Sequence, residues 1–260
     1  MINNLYANRR YILGSFWTDF RYRYAGTALG FFWFFINPLL EAAIYAIVFT
    51  QIVSIRSGGG QGISYTLFLT SGLFPFLAFS QLISRASSAI RTNALYMRRS
   101  LVPSEVFVFK ECLLAAFSLM VYLVLLVPIS LAAGNPLTVH ALMMPVFAIL
   151  LMLLGFGFSL PLANLRILFP DLGEIITVGL QLWRWTLPIM FSDAKFPKLL
   201  KHLMSLNPPY YFIRSFRDVL IEHRMPPQEA WLSMAFWIVV TMIIAQLVAG
   251  WLRHEVKDLL

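Results

Sequence analysis

Charge is scarce in this chain. Only 12% of its 260 residues are Asp, Glu, Lys or Arg, while 59% are hydrophobic. A soluble domain carries about 25% charged residues, so a chain this poor in them could not cover its own surface against water, and lipid must cover the rest. One cysteine, Cys112, excludes a disulfide framework within the chain. The four histidines, His140, His202, His223 and His254, are scattered and form no metal-ligand spacing. A phosphate-cradling loop is also missing: Gly58-Gly59-Gly60 is not followed by the Lys and Ser or Thr that a P-loop requires. No HExxH, GxSxG or paired-aspartate motif is present. No metal site and no cofactor are therefore expected on this chain. The first 25 residues hold Arg9, Arg10, Arg21 and Arg23 without a long apolar core between them, so a cleavable signal peptide is not expected.

What is present is long apolar sequence. A membrane-crossing helix needs about 20 mostly apolar residues. Six stretches qualify: residues 27–53, 63–84, 112–133, 139–165, 175–191 and 230–252. The third and fourth are separated at Gly134-Asn135-Pro136, where Gly permits a turn and Pro cannot continue a helix. The expected fold is thus an all-α integral membrane domain over residues 1–260. Six spans place both termini on one side, and that side carries twelve Lys and Arg against seven on the other. The positive-inside rule makes it the cytoplasm. The net charge of +8 then reads as topology signal and contact with anionic lipid, with an acidic substrate as a second reading and nucleic acid as none.

Two segments are apolar without being spans. In residues 4–21, Leu5, Ile12, Leu13, Phe16, Trp17 and Phe20 share a helix face opposite Asn8, Ser15, Thr18 and Asp19, with Arg9 and Tyr11 fitting poorly. This predicts a helix in the membrane interface, serving as a lipid anchor or as a surface for a cytoplasmic partner. Residues 196–221 read as two short amphipathic helices, Pro197 to Leu206 and Tyr210 to Ile221, split at Asn207-Pro208-Pro209. Each is too short to cross a bilayer, so they form either a re-entrant pair or a cap on the outer surface.

Candidate functional residues follow. Arg184, between Trp183 and Trp185, falls near the middle of the fifth expected span. A charge there costs about 3 kcal/mol on insertion scales, so it lines a pathway, pairs with Glu41 of the first span, or snorkels. Phe31 to Phe35, including Trp33 and Phe35, together with Trp183 and Trp185, supply rings on which sugar faces stack; the same residues also suit lipid and its interface. The loop after the second span holds Arg85 and Arg91, and residues 94–101 (Ala94, Leu95, Tyr96, Met97, Arg98 and Arg99 among them) fit a short helix closed by Pro103. Composition does not decide between a solvated basic loop and a docking helix.

The order of local patterns adds to this. Arg21-Tyr22-Arg23-Tyr24-Ala25-Gly26-Thr27-Ala28-Leu29-Gly30 with Trp33 and Pro38, Ser71-Gly72-Leu73-Phe74-Pro75-Phe76, Phe169-Pro170-Asp171-Leu172 with Glu174-Ile175-Ile176, Leu187-Pro188-Ile189-Met190-Phe191 and Leu206-Asn207-Pro208-Pro209 follow one another over nearly the whole chain. In these stretches the chain resembles the membrane subunit of type-2 ABC exporters, specifically the O-antigen, capsule and teichoic-acid permeases. Pro170 departs from the Arg often found there. The resemblance implies a homodimer in the bacterial inner membrane and two cytoplasmic ATP-binding subunits that hold ATP and Mg. It implies an undecaprenyl-pyrophosphate-linked glycan as cargo and a coupling helix at 94–101. The pyrophosphate would need cations near the cytoplasmic entrance, for which Arg21, Arg23, Arg85 and Arg91 are candidates. A membrane-embedded glycan or lipid-phosphate transferase is the alternative. Asp171 and Glu174 are the acidic pair it would use, without the His, Asn or Asp that usually completes such a site. An ion-coupled carrier would place acids in several spans, and only Glu41 qualifies.

Overall fold

The computed structural model describes residues 1–24, 32, 33, 36–41, 43, 44, 47, 62–99, 102–191 and 197–252. Most of the first expected span, Phe35 within it, residues 100 and 101 and the tail from 253 lie outside the described residues. So do the side chains of Arg23, Arg98 and Arg99.

The described residues are helical, with no strand among them. In chain order the helices are α1 Ile2–Ala7, α2 Arg9–Tyr24, α3 Gly62–Ala86, α4 Ala89–Thr92, α5 Ala94–Arg99, α6 Ser104–Ala132, α7 Met144–Leu168, α8 Leu172–Trp185, α9 Lys198–Ser205, α10 Tyr210–Leu220 and α11 Gln228–Trp251. A 3₁₀ turn, Val139–Met143, leads into α7. Four segments are long and apolar enough to cross a membrane: Tyr65–Ala86, Ser104–Ala132, Val139–Leu168 and Gln228–Trp251.

Helix α3 is the centre of the bundle. It packs against α6, α7, α8 and α10, and Leu69, Leu73, Phe74, Phe79 and Leu82 are buried on its several faces. Between lipid-exposed helices the gain comes from packing, because lipid tails are as apolar as leucine. Helix α11 illustrates the opposite case. It touches α7 and α10 through a narrow stripe of Ala230, Met234, Thr241 and Ala245, while Leu232, Phe236, Val239, Ile243 and Leu247 face outward. In water that face would be a liability, and in a bilayer it is the ordinary lipid surface.

The structure alters three expectations. Helix α6 begins at Ser104, eight residues before the expected third span, because the charges at its start are paired within the protein. Lys110 is buried and lies 2.5 Å from Asp19 and 3.8 Å from Glu111. The turn between α6 and α7 falls where expected, with Gly134 at φ +70°, a backbone region open to Gly.

The fifth expected span, 175–191, is instead the 14-residue helix α8, about 21 Å long. That is short of the roughly 30 Å hydrocarbon core. Pro188 is the cause: it lacks an N–H, and its ring disfavours helical backbone in the residue before it. The chain therefore leaves the helix after Trp185 and turns through 186–191. The amino-terminal helix is broken at Asn8 into α1 and α2, and its faces do not divide as expected. Ile12 is buried and Phe16 and Phe20 are half-buried, but Leu13 and Trp17 point outward. Tyr11 and Asp19, both off the expected apolar face, contact the bundle instead.

Candidate functional site

Two clusters of interactions organise the molecule, one around α5 and one around α10. The first joins the amino-terminal helices to the segment after α3. The Tyr11 ring stacks on Tyr96 of α5 with centroids 5.3 Å apart, and both meet the edge of Phe107 of α6, at 5.8 and 6.0 Å. Such ring pairs add about 0.5–1.5 kcal/mol beyond their area. At one end of the amino-terminal helices, Asn4 donates to Glu105 over 2.8 Å. At the other, Phe20 meets Phe117 at 5.1 Å. The expected helix at 94–101 is thus present as α5, Ala94–Arg99. Leu95 is 74% exposed and Tyr96 is exposed in part, while Met97 packs on the core. An isolated six-residue helix would not be stable, so Tyr96 and Met97 hold it while Leu95 is presented outward.

The second cluster centres on Arg217 of α10, one of the seven Lys and Arg that the span count places on the side opposite the termini. Its side chain is buried. The guanidinium donates to the carbonyls of Phe68 (3.2 Å), Pro188 and Ile189 (2.7 Å) and lies 3.8 Å over the Phe68 ring. Carbonyls 188 and 189 need a donor because the chain has left the helix there, and buried backbone groups are almost always paired. Tyr65 donates to the next carbonyl, Met190, over 2.7 Å. Gly72 makes the space: a Cβ at that position would sit 2.6 Å from an Arg217 nitrogen.

Asn207 completes the cluster, accepting from Trp183 Nε1 (2.7 Å) and donating to Thr186 Oγ1 (3.0 Å). The stretches at 71–76, 187–191 and 206–209, distant in sequence, therefore meet at one place. The signals for it were Gly72 in an otherwise bulky helix and Pro188 within an expected span. Nearby, Asp218 is buried and accepts from Arg224 over 3.1 Å. Burial raises its carboxyl above the ordinary range, and the Arg224 hydrogen bond offsets this in part.

The remaining candidates are distributed as follows. Arg184 lies in the last turn of α8, not in mid-span, and its guanidinium is 3.6 Å from the Glu41 carboxylate. The first and fifth apolar stretches are therefore brought together at this pair. A cation in a last turn is also favoured by the helix dipole. Trp183 is half-buried, with edge contacts to Phe79 (5.7 Å) and Phe158 (5.4 Å), whereas Trp185 is exposed. Trp33 is helical and half-buried. Arg21 is exposed and lines a cleft with Trp17 and Thr18. Arg85 and Arg91 are exposed at the end of α3 and on α4. Asp171 and Glu174 are exposed at the start of α8. Among the described residues no group of three His, Cys, Asp or Glu gathers to hold a metal.

Comparison with known proteins meets this geometry. The chain is 25% identical to an O-antigen export system permease protein RfbA of Myxococcus xanthus, over 99% of this chain and 98% of that one. It is 26% identical to an O-antigen export system permease protein RfbA of Klebsiella pneumoniae, over 78% and 77%. It is 23% identical to a polysialic acid transport protein KpsM of Escherichia coli, over 88% of each. The family model described as ABC-2 type transporter matches residues 12–221, a range that takes in α3, the short helix α5 and the whole Arg217 cluster. With its family pattern spread over most of its length and its helices built to face lipid, this chain belongs to the ABC-2 type transporter family.

Proposed function

We propose that this chain is the transmembrane subunit of an ATP-driven exporter that moves lipid-linked polysaccharide of the O-antigen kind across the bacterial inner membrane. The observation that carries the reading is the family match over residues 12–221, together with relatives named as O-antigen and polysialic acid transport proteins. Two such chains form the pathway, and two cytoplasmic ATP-binding subunits supply ATP and Mg. Both termini lie in the cytoplasm; the first apolar stretch and residues 175–191 bring the four long segments to six spans, and α9 and α10 form a short re-entrant pair before the last of them.

The geometry supports a division of labour. Leu95 stands out from α5 as an apolar knob for the ATPase subunit, and Tyr96 links that helix to Tyr11 of α2 and Phe107 of α6. A push on α5 would thus be felt at once by α2 and α6. The Arg184–Glu41 pair holds α8 against the first apolar stretch, where Trp33 and Trp185 offer ring faces to sugar. Arg23, Arg85 and Arg91 supply cations for a pyrophosphate at the cytoplasmic entrance.

Cells lacking this chain should lose surface glycan and accumulate its lipid-linked precursor on the cytoplasmic side, and re-expression should reverse both. Loss of glycan with no precursor accumulating would instead favour an enzyme of glycan synthesis and move attention to Asp171 and Glu174. Arg184→Ala should impair export with the partner still bound, and unchanged surface glycan in that variant would remove Arg184 from the pathway.

A further inference from the structure

Two adjoining clefts share Thr18 of α2 and together make a groove, one part lying between α2, Asn93 and α6 and the other along the outer side of α2. One part, about 300 Å³, is lined by Tyr11, Gly14, Ser15, Thr18, Asp19, Asn93 and Lys110. A second part, about 340 Å³, shares Thr18 and adds Trp17 and Arg21. Gly14 leaves the wall open: a Cβ there would meet no heavy atom within 4 Å. From the groove and its depth we infer that it is a binding site for the headgroup of a zwitterionic aminophospholipid, phosphatidylethanolamine in chemical class.

Helix α6 has 29 residues, so it is about 43 Å long, some 13 Å more than the hydrocarbon core of about 30 Å. Its charges, Glu105, Lys110 and Glu111, all fall in its first eight residues, and none follows through Ala132. The surplus length is therefore at that end, and Lys110, about 9 Å from the helix start, lies at headgroup level. Trp17, 60% exposed, belongs at that boundary too, and the outward Leu13 continues its apolar face toward the acyl chains.

The Lys110 ammonium is already matched by Asp19 at 2.5 Å and Glu111 at 3.8 Å, so it does not call for another anion. The Asp19 side chain keeps 40% of its surface open and can accept hydrogen bonds from a primary ammonium. Arg21, exposed at the far end of the groove, matches a phosphate. One phosphate and one ammonium fit this pattern. A pyrophosphate, with its higher negative charge, would face the open Asp19 carboxylate. Choline could not donate to Asp19, and glycerol brings no cation.

The test uses the full chain with whatever subunits co-purify. It is incubated in detergent with equal mole fractions of phosphatidylethanolamine, phosphatidylcholine and phosphatidylglycerol, and retained lipid is counted by native mass spectrometry. Phosphatidylethanolamine should be retained about tenfold over the other two, the effect of roughly one charge-assisted hydrogen bond. Gly14→Phe, which fills the groove without touching a charge, should abolish that preference, whereas Gly14→Ala should keep it. Arg21→Gln, at an exposed position, should lower retention of all three lipids together, because the phosphate is common to them, and it tests the site independently if the bulky variant does not fold. Equal retention of the three lipids by the wild-type chain, a preference for phosphatidylglycerol or an added polyprenyl pyrophosphate, or unchanged total retention in Arg21→Gln would each overturn the assignment. Lipid retention does not depend on an ATPase partner, so the exporter reading and this site fail separately.

Discussion

The Arg217 cluster makes a quantitative prediction through Gly72. Replacing Arg217 by Ala leaves the carbonyls of Phe68, Pro188 and Ile189 without their side-chain donor. An unsatisfied buried polar group costs about 1–3 kcal/mol, so three carbonyls in the lower half of that range cost about 3–5 kcal/mol together. At about 2–4 °C per kcal/mol for a chain of this size, the melting temperature in detergent should fall by roughly 6–20 °C.

Gly72→Ala acts on the same cluster from the other side. The new methyl would stand 2.6 Å from the guanidinium, which three carbonyls prevent from retreating. Displacing it costs one or two charge-assisted bonds, about 1.5–3 kcal/mol each, against a gain of up to about 1 kcal/mol from replacing Gly within a helix. The net loss should be about 2 kcal/mol. In the Arg217→Ala background the obstacle is gone, so Gly72→Ala should be neutral or stabilising. The double-mutant cycle should therefore show a coupling of about 2–3 kcal/mol, within the range for residues in contact. Melting curves of the four proteins, read as the fraction remaining monodisperse after heating, measure it. Additive effects, with a coupling below about 0.5 kcal/mol, would refute the idea that the helix-ending turn at 188–189 is held through Arg217.

Asn207→Ala should destabilise by about 1–2 kcal/mol, because the Trp183 indole loses its 2.7 Å acceptor; a red-edge change in tryptophan emission should accompany the lowered melting temperature. Tyr11→Phe should export normally and Tyr11→Ala should hydrolyse ATP without export, since the ring stack on Tyr96 and not the hydroxyl joins α5 to α2; equal export by both variants would remove the stack from the coupling path.

Much of the framework was legible in the sequence because lipid imposes a simple rule. Long uncharged stretches marked α3, α6, α7 and α11, and Gly134-Asn135-Pro136 marked the turn between two of them. The break at 206–209 was equally plain, since adjacent prolines forbid helix. Less legible was anything set by partners far along the chain. The beginning of α6 was hidden because Lys110 finds Asp19, about ninety residues earlier, so a charged stretch that looked like loop is helix. Arg184 looked like a mid-span charge because Pro188 was not weighed as a stop. Arg217 looked like one more outer-loop cation because its acceptors lie on two other elements. Periodicity also misjudged α2, where Tyr11 and Asp19 turn inward for the specific partners Tyr96 and Lys110, while Leu13 and Trp17 turn to the surroundings.

The exporter account stands or falls on an ATPase partner held by α5. Tagged protein should be extracted in mild detergent, captured, and tested for ATP hydrolysis by whatever co-purifies, in parallel with a Leu95→Asp variant. The account predicts a stoichiometric ATP-binding subunit with wild type and its loss with Leu95→Asp, while the melting temperature stays unchanged because that side chain is exposed. A chain that purifies alone and without ATPase activity from cells that export the glycan would contradict it.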